Sequence, residues 1–250
     1  MNQGKSIIII PTYNEIENIS LIIPKVLAQN PDYHVLVVDD HSPDGTAQKV
    51  KQMIPGYPNR VYLIERKGKL GLGTAYIAGF HFALQNGYSW VFEMDADFSH
   101  DPADLTRLQN ALTEWNCHVT IGSRYVDKGG VKNWPLDRKL LSYGASLYVR
   151  LITFMNIKDP TAGFICYQTE VLKAMDLDKI RFIGYAFQIE MKYYAYQLGF
   201  RLKEVPIVFK DRVRGKSKMH GKIVFEAITG VLAMRFKALK GYYQRRKPDH

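Results

Sequence analysis

The sequence predicts an α/β protein, a mostly parallel sheet flanked by helices and followed by an amphipathic C-terminal helix. Three features point there. Short apolar, β-branched runs alternate with helical stretches through the first 120 residues. The runs are apolar throughout, as strands buried on both faces are. Two of them end in acidic residues, Asp39-Asp40 and Asp95-Ala96-Asp97. In open α/β sheets that end of the strand faces the ligand.

The elements follow in order. Residues 6–10 carry four consecutive isoleucines before Pro11 and read as the first strand. Residues 15–29 read as a helix, and residues 34–38 as a second strand. Ser42-Pro43-Asp44-Gly45 is a turn that opens the next helix. A third strand is expected at 61–64, a helix at 73–86 and a fourth strand at 90–94. A helix at 102–115 and a fifth strand at 119–121 complete the alternation. Beyond Gly122 the pattern changes to a Gly- and Trp-containing loop over 123–135. Helices at 137–154 and 185–198 and strands at 163–167 and 202–209 follow. No Pro/Gly/Ser-rich linker or repeat interrupts the chain. The reading is a main domain over 1–221 and a basic amphipathic helix and tail over 222–250.

Composition excludes several classes. The chain has 250 residues, of which 46% are hydrophobic and 23% charged, which fits a globular protein and not a disordered one. The two cysteines form no CxxC and offer no metal cluster. No apolar stretch approaches the roughly 20 residues of a membrane-spanning helix, and the N-terminal run is too brief for a signal peptide. A cytoplasmic protein is expected. The net charge of +10 is unevenly placed. Residues 1–200 hold 20 basic and 20 acidic residues, whereas residues 201–250 hold 14 and 4. Such a basic stretch suits a polyanion, an anionic lipid surface or a phosphorylated substrate. It lacks the interleaved motif of a nucleic-acid binder.

Asp95 and Asp97 are two residues apart, so in extended chain they point the same way. Such a pair can hold a hard divalent ion through oxygen, with positions left for phosphate. The loop Lys67-Gly68-Lys69-Leu70-Gly71-Leu72-Gly73-Thr74 matches neither GxGxxG in its usual context nor GxxxxGK[ST]. It reads as a backbone wall of a nucleotide pocket or as a flexible turn. Arg212-Val213-Arg214-Gly215-Lys216-Ser217-Lys218 suits phosphate oxygens or is a solvated charge run. A binuclear phosphatase would need more metal ligands than these, and the seven histidines form no such set.

Taken together, Ile10-Pro11-Thr12-Tyr13-Asn14-Glu15, Val38-Asp39-Asp40, Ser42-Pro43-Asp44-Gly45-Thr46, the 68–76 loop, Met94-Asp95-Ala96-Asp97, Gly122-Ser123-Arg124-Tyr125 and the 212–218 segment closely resemble the polyprenol (dolichol) phosphate mannosyltransferases of glycosyltransferase family 2, which have the GT-A fold. The resemblance spans about residues 6 to 236. It implies inverting transfer of mannose from GDP-mannose to a polyprenyl phosphate, with Mg2+ or Mn2+. By resemblance, Pro11, Tyr13, Glu15, Val38 and Asp40 hold the guanosine, and Asp95, Ala96 and Asp97 lie at the metal and diphosphate. Arg124, Arg212 and Lys218 hold phosphates. Ser99 stands where some members carry a metal-assisting Gln, and Ala186 where some carry a phosphate-contacting Lys. Alternatives are the same fold using UDP-glucose or another acceptor, and a non-catalytic sugar-nucleotide binder.

A phosphate monoester is already largely dianionic at neutral pH, its second pKa being about 6, so the acceptor needs no general base. Glu190 is expected to act through packing or local positioning. Phe225, Ile228, Leu232, Phe236, Leu239 and Tyr243 recur at near-helical spacing beside Lys222, Arg235, Lys237 and Lys240. They read as a helix lying in the interface on the cytoplasmic face of a membrane, with room for a membrane partner subunit, or as a helix packed on the core. Helix 137–154, with Leu140, Leu141, Leu147, Tyr148, Leu151 and Ile152, could share either role.

Overall fold

A computed structural model describes residues 4–182, 184–211 and 221–246, with the side chains of Tyr185 and residues 221–228 left out. Arg212 and Lys218, and the side chains of Phe225 and Ile228, therefore lie outside the described residues.

The strands are β1 (Ser6–Thr12), β2 (Tyr33–Asp39), β3 (Val61–Glu65), β4 (Trp90–Glu93), β5 (Val119–Ser123), β6 (Gly130–Lys132), β7 (Ile165–Gln168), β8 (Leu202–Pro206) and β9 (Val208–Lys210). The helices are α1 (Ile16–Leu27), α2 (Thr46–Met53), α3 (Leu72–Gln85), α4 (Asp104–Glu114), α5 (Leu136–Thr153), α6 (Thr169–Ala174), α7 (Tyr185–Gln197) and α8 (Gly221–Leu239).

The main sheet has the order β3-β2-β1-β4-β7-β5-β8. β1 pairs in parallel with β2 and β4, β2 with β3, and β5 with β8. Only β7 runs antiparallel, between β4 and β5. Ile7 to Ile10 are all fully buried, because helices cover both faces. Ile8 and Ile10 join the side built on α1 and α4, while Ile7 and Ile9 join the side built on α3 and α7. Gly79 lets α3 close on the sheet, since a Cβ there would lie 2.6 Å from Ile9.

The expected strand over 202–209 is two strands in two sheets. Pro206 donates no ladder bond, and Ile207 joins the sheets, donating to Ser123 at 3.0 Å and accepting from Gly130 at 3.0 Å. The expected loop over 123–135 contains β6, which pairs in parallel with β9 as a second, two-stranded sheet. α8 packs against α5 and α7 and sends Val231 and Met234 into the core. Tyr243, read from sequence as part of the same apolar face, is buried too, while Leu232, Phe236 and Leu239 remain exposed. Among the described residues no helix is long and apolar enough to cross a membrane.

Candidate active site

The ends of β1, β2 and β4 form one edge, and each is held by its own side chains. After β2, Asp39 accepts from Thr12 Oγ1 at 2.8 Å, Ser42 Oγ at 2.6 Å and Ser42 N at 2.8 Å. Asp44 accepts from Thr46 and from the backbone N–H of Ile16, which opens α1. Gly45 adopts φ +88 in this turn, a conformation that glycine takes without strain. Hence Asp39, Ser42, Asp44 and Thr46 are framework that knits the first two motifs together.

Asp40 has a different role. It is buried, ion-paired with Arg66, and accepts from the backbone N–H of Leu70 at 3.1 Å and Gly71 at 3.2 Å. Arg66 in turn donates to Thr74 Oγ1 at 2.6 Å and to the Gly71 carbonyl at 3.0 Å. The glycine-rich loop is thus tied to β2. Lys69 lies over the Tyr13 ring at 4.3 Å, placing the loop beside the first motif. Pro11 and Tyr13 are half-buried and Glu15 is also partly accessible, whereas Val38 is sealed in the core.

β4 delivers Asp95, Ala96 and Asp97. Asp97 accepts from Ser99 N at 3.1 Å and from Ser99 Oγ. His100 Nδ1 accepts from Asp95 N at 3.3 Å, and the ring stacks on Phe164. Burial pushes the His100 imidazole down to about 4, against the pull of Asp97. No group of three metal-ligating side chains exists among the described residues. Two carboxylates and no third fit an ion that completes its oxygen shell from a diphosphate and water, as hard divalent cations do.

β5 delivers Arg124, read from sequence as a phosphate holder. Its guanidinium forks onto Asp159, at 2.7 Å from Nε and 2.6 Å from Nη2, and also donates to Thr161 Oγ1 at 2.8 Å. Burial alone would raise the Asp159 carboxyl, but the Arg124 charge and hydrogen bonds hold it below the usual carboxylate range. Two further charged side chains, Glu93 and Lys192, are fully buried. Lys192 donates to the carbonyls of Ala162 and Gln188, both at 2.7 Å, and Glu93 accepts from Tyr167 at 2.8 Å and from Gln188. Burial lifts the Glu93 carboxyl and draws the Lys192 ammonium down, each opposed by the other's charge. Sequence reading missed Asp159, Gln188 and Lys192. Asp159 sits in an irregular loop, and nothing in the α7 periodicity marks two polar positions as fully buried.

These elements enclose a cavity of about 560 Å³. Asp95, Ser99, His100, Arg124 and Gln188 are among its polar lining residues, and Leu72, Ile189, Ile207 and Phe209 among its apolar ones. α5 contributes Leu140, Leu141, Ala145 and Tyr148 to the lining, together with Arg138 and Ser142. At the rim Arg138 stacks on Trp134 at 4.1 Å and pairs with Asp211 at 2.9 Å. Lys210 donates from its backbone to the Ser99 carbonyl at 3.2 Å and from Nζ to Asp101 at 3.0 Å. Lys210 therefore lies beside the Asp95–Asp101 loop.

The family model for glycosyl transferase family 2 matches residues 7–176. The chain belongs to that family. It is 46% identical over 224 residues to polyprenol monophosphomannose synthase of Mycolicibacterium smegmatis, covering 90% of this chain and 84% of that protein. It is 45% identical over 236 residues to undecaprenyl-phosphate mannosyltransferase of Micrococcus luteus, covering 93% and 96%. Among solved structures, glucosyl-3-phosphoglycerate synthase of Mycobacterium tuberculosis with phosphoglyceric acid superposes with a TM-score of 0.69 at 16% identity, over 93% of this chain and 80% of that one. The same enzyme with Mn2+, UDP-glucose and phosphoglyceric acid gives 0.65. The fold of this family 2 glycosyltransferase is GT-A-like, as the motifs implied.

Proposed function

We propose that this glycosyltransferase moves mannose from GDP-mannose to the phosphate of a polyprenyl lipid, with inversion at the sugar carbon and a divalent cation, Mg2+ or Mn2+, at Asp95 and Asp97. The observation that carries the reading is the lining of the cavity. Its lining combines polar side chains, among them Asp95, Ser99, Arg124 and Gln188, with apolar ones, among them Leu140 and Leu141 of α5, which remain 65% and 50% exposed. A phosphorylated head on an apolar chain has that same combination. The two mannosyltransferase relatives, both named for a polyprenyl-type acceptor, support the acceptor class.

On the donor side, Tyr13, Glu15, Lys69 and the Asp40-bound glycine loop frame the nucleoside. When bound, the cation offsets the charge that grows on the departing diphosphate. The chain's own groups do the rest. Ser99 orients Asp97, and the Arg124–Asp159 fork holds the cavity floor. Arg138 and Trp134 stand at the rim, and Arg212 and Lys218 are assigned to the phosphates. An acceptor phosphate oxygen forms the new bond to the sugar carbon as the bond to the donor diphosphate breaks. No side chain need remove a proton, because the acceptor arrives ionised.

The α5 and α8 surfaces supply the membrane face. Leu136, Leu147 and Leu151 on α5 and Leu232, Phe236 and Leu239 on α8 are exposed, with Lys139 and Lys240 beside them. Apolar rows edged by cations suit an anionic lipid surface, here on the cytoplasmic face. The test is transfer of labelled sugar to undecaprenyl phosphate, comparing GDP-mannose with UDP-glucose. Preference for GDP-mannose is expected; preference for UDP-glucose overturns the donor assignment, and no transfer from either overturns the reaction.

A further inference from the structure

The segment after α8 turns back across the domain and grips one short stretch of chain. Tyr242 OH donates to the Lys179 carbonyl at 2.7 Å. Tyr243 is buried between the rings of Tyr193 and Tyr194, with centroids at 5.5 and 5.0 Å. Its hydroxyl donates to Glu190 at 3.1 Å. The other oxygen of Glu190 accepts from the backbone N–H of Arg181 at 3.1 Å and Phe182 at 3.2 Å. Two consecutive tyrosines therefore hold residues 179–182 from both sides, one directly and one through a fully buried carboxylate.

What they hold is pressed against the glycine-rich loop. A Cβ on Gly73 would lie 2.7 Å from the Phe182 carbonyl oxygen and 2.8 Å from the Phe187 ring, so this approach needs glycine. The opposite side is equally close, since a Cβ on Gly230 of α8 would meet the Phe182 ring at 2.8 Å. Lys237 lies over both Phe182 and Tyr242, at 5.4 and 4.9 Å. Gly73 follows Leu72, which lines the cavity, and Gly71, whose N–H is bound by Asp40. Phe182 is thus a wedge between α8 and the start of α3.

We propose that Glu190, Tyr242 and Tyr243 are positioning residues that set the glycine-rich loop through the Phe182 wedge, so that the segment after α8 governs how tightly the sugar nucleotide is held. The consequence for binding rests on the reading of that loop as a donor wall; the mechanical coupling does not. Glu190 touches no reacting group in this scheme. Its buried carboxylate is matched by three hydrogen bonds, and each removed donor loosens residues 181–182.

The test uses the full chain carrying Tyr242→Phe with Tyr243→Phe, which keeps both rings and removes both hydroxyls. Amide hydrogen exchange should quicken about fivefold at residues 181–182 and also at 70–75, with β1 and β2 unchanged. The KM for GDP-mannose should rise about fivefold while kcat stays within about twofold. Glu190→Gln, which keeps an acceptor, should lie nearer the wild type than Glu190→Ala in both readouts. Faster exchange at 181–182 without change at 70–75 overturns the proposal. So does a fall in kcat and thermal stability together at unchanged KM. If the wild type turns over no sugar nucleotide, the donor reading fails, and the exchange measurement still decides the coupling.

Discussion

α1 and α5 are both amphipathic helices, and they spend their apolar residues in opposite ways. α1 buries Ile19, Ile22, Ile23, Val26 and Leu27 against the sheet. α5 buries only Ser146, Val149 and Thr153 and leaves Leu136, Leu140, Leu141, Leu147 and Leu151 outward. The part that we assign to the donor is tied internally, with Asp39, Asp40 and Asp44 each accepting from neighbouring N–H or O–H groups. The part that we assign to the acceptor carries a row of exposed leucines, and a contiguous exposed apolar row is the kind of surface that marks a binding site. The difference separates two demands. A sugar nucleotide is polar and needs rigid, preorganised groups; a lipid needs an apolar path that begins outside the protein.

The largest expected effect breaks the floor that joins the halves. Arg124→Ala leaves Asp159 buried without its partner and should cost about 3–5 kcal/mol of stability, read as a drop in the urea midpoint, together with loss of turnover. If the protein is as stable as wild type, the fork is not structural. Asp97→Ala acts on the donor half alone. Turnover should fall about a thousandfold while the fold survives, and added Mn2+ should no longer shift the melting temperature. An unchanged metal response would place the cation elsewhere.

On the other half, Leu136→Ser with Leu151→Ser removes exposed residues outside the cavity. Partition onto vesicles containing anionic lipid should fall about tenfold, with turnover on a short, water-soluble polyprenyl phosphate unchanged. Equal vesicle binding would remove α5 from the membrane face. The smallest effect is a slope. In the metal-free protein the unfolded His100 binds a proton near its ordinary 6.5 and the folded one only near about 4. Stability is therefore lost as pH falls from 6.5 towards 4. His100→Gln should flatten that limb of the urea midpoint against pH; an unaltered limb would assign it to other groups.

Much of the donor half was legible because its apolar runs and strand-end acids are local signals. β1 to β5 fall within a few residues of where their side chains place them. The roles of Asp40 and Arg124 were less legible, because each depends on a partner distant in sequence, Arg66 in one case and Asp159 in the other. Periodicity marked the leucine row of α5 but could not say which face is covered, since a stripe looks the same packed or bare. The antiparallel course of β7 is a product of tertiary pairing and leaves no trace in composition, whereas Pro206, which donates no ladder bond, is a local mark of the switch at Ile207. Tyr243 has the spacing of the α8 apolar face, yet the chain has already left the helix at Gly241, where φ is +70.

The most direct measurement of the whole account is the movement of radiolabel from GDP-[3H]mannose into undecaprenyl phosphate in vesicles with Mn2+ present, for the wild type and Asp97→Ala. The account predicts lipid-extractable label that depends on the acceptor and is nearly absent with the variant. Label that stays in the aqueous phase with the wild type, or that reaches the lipid equally with the variant, would contradict it.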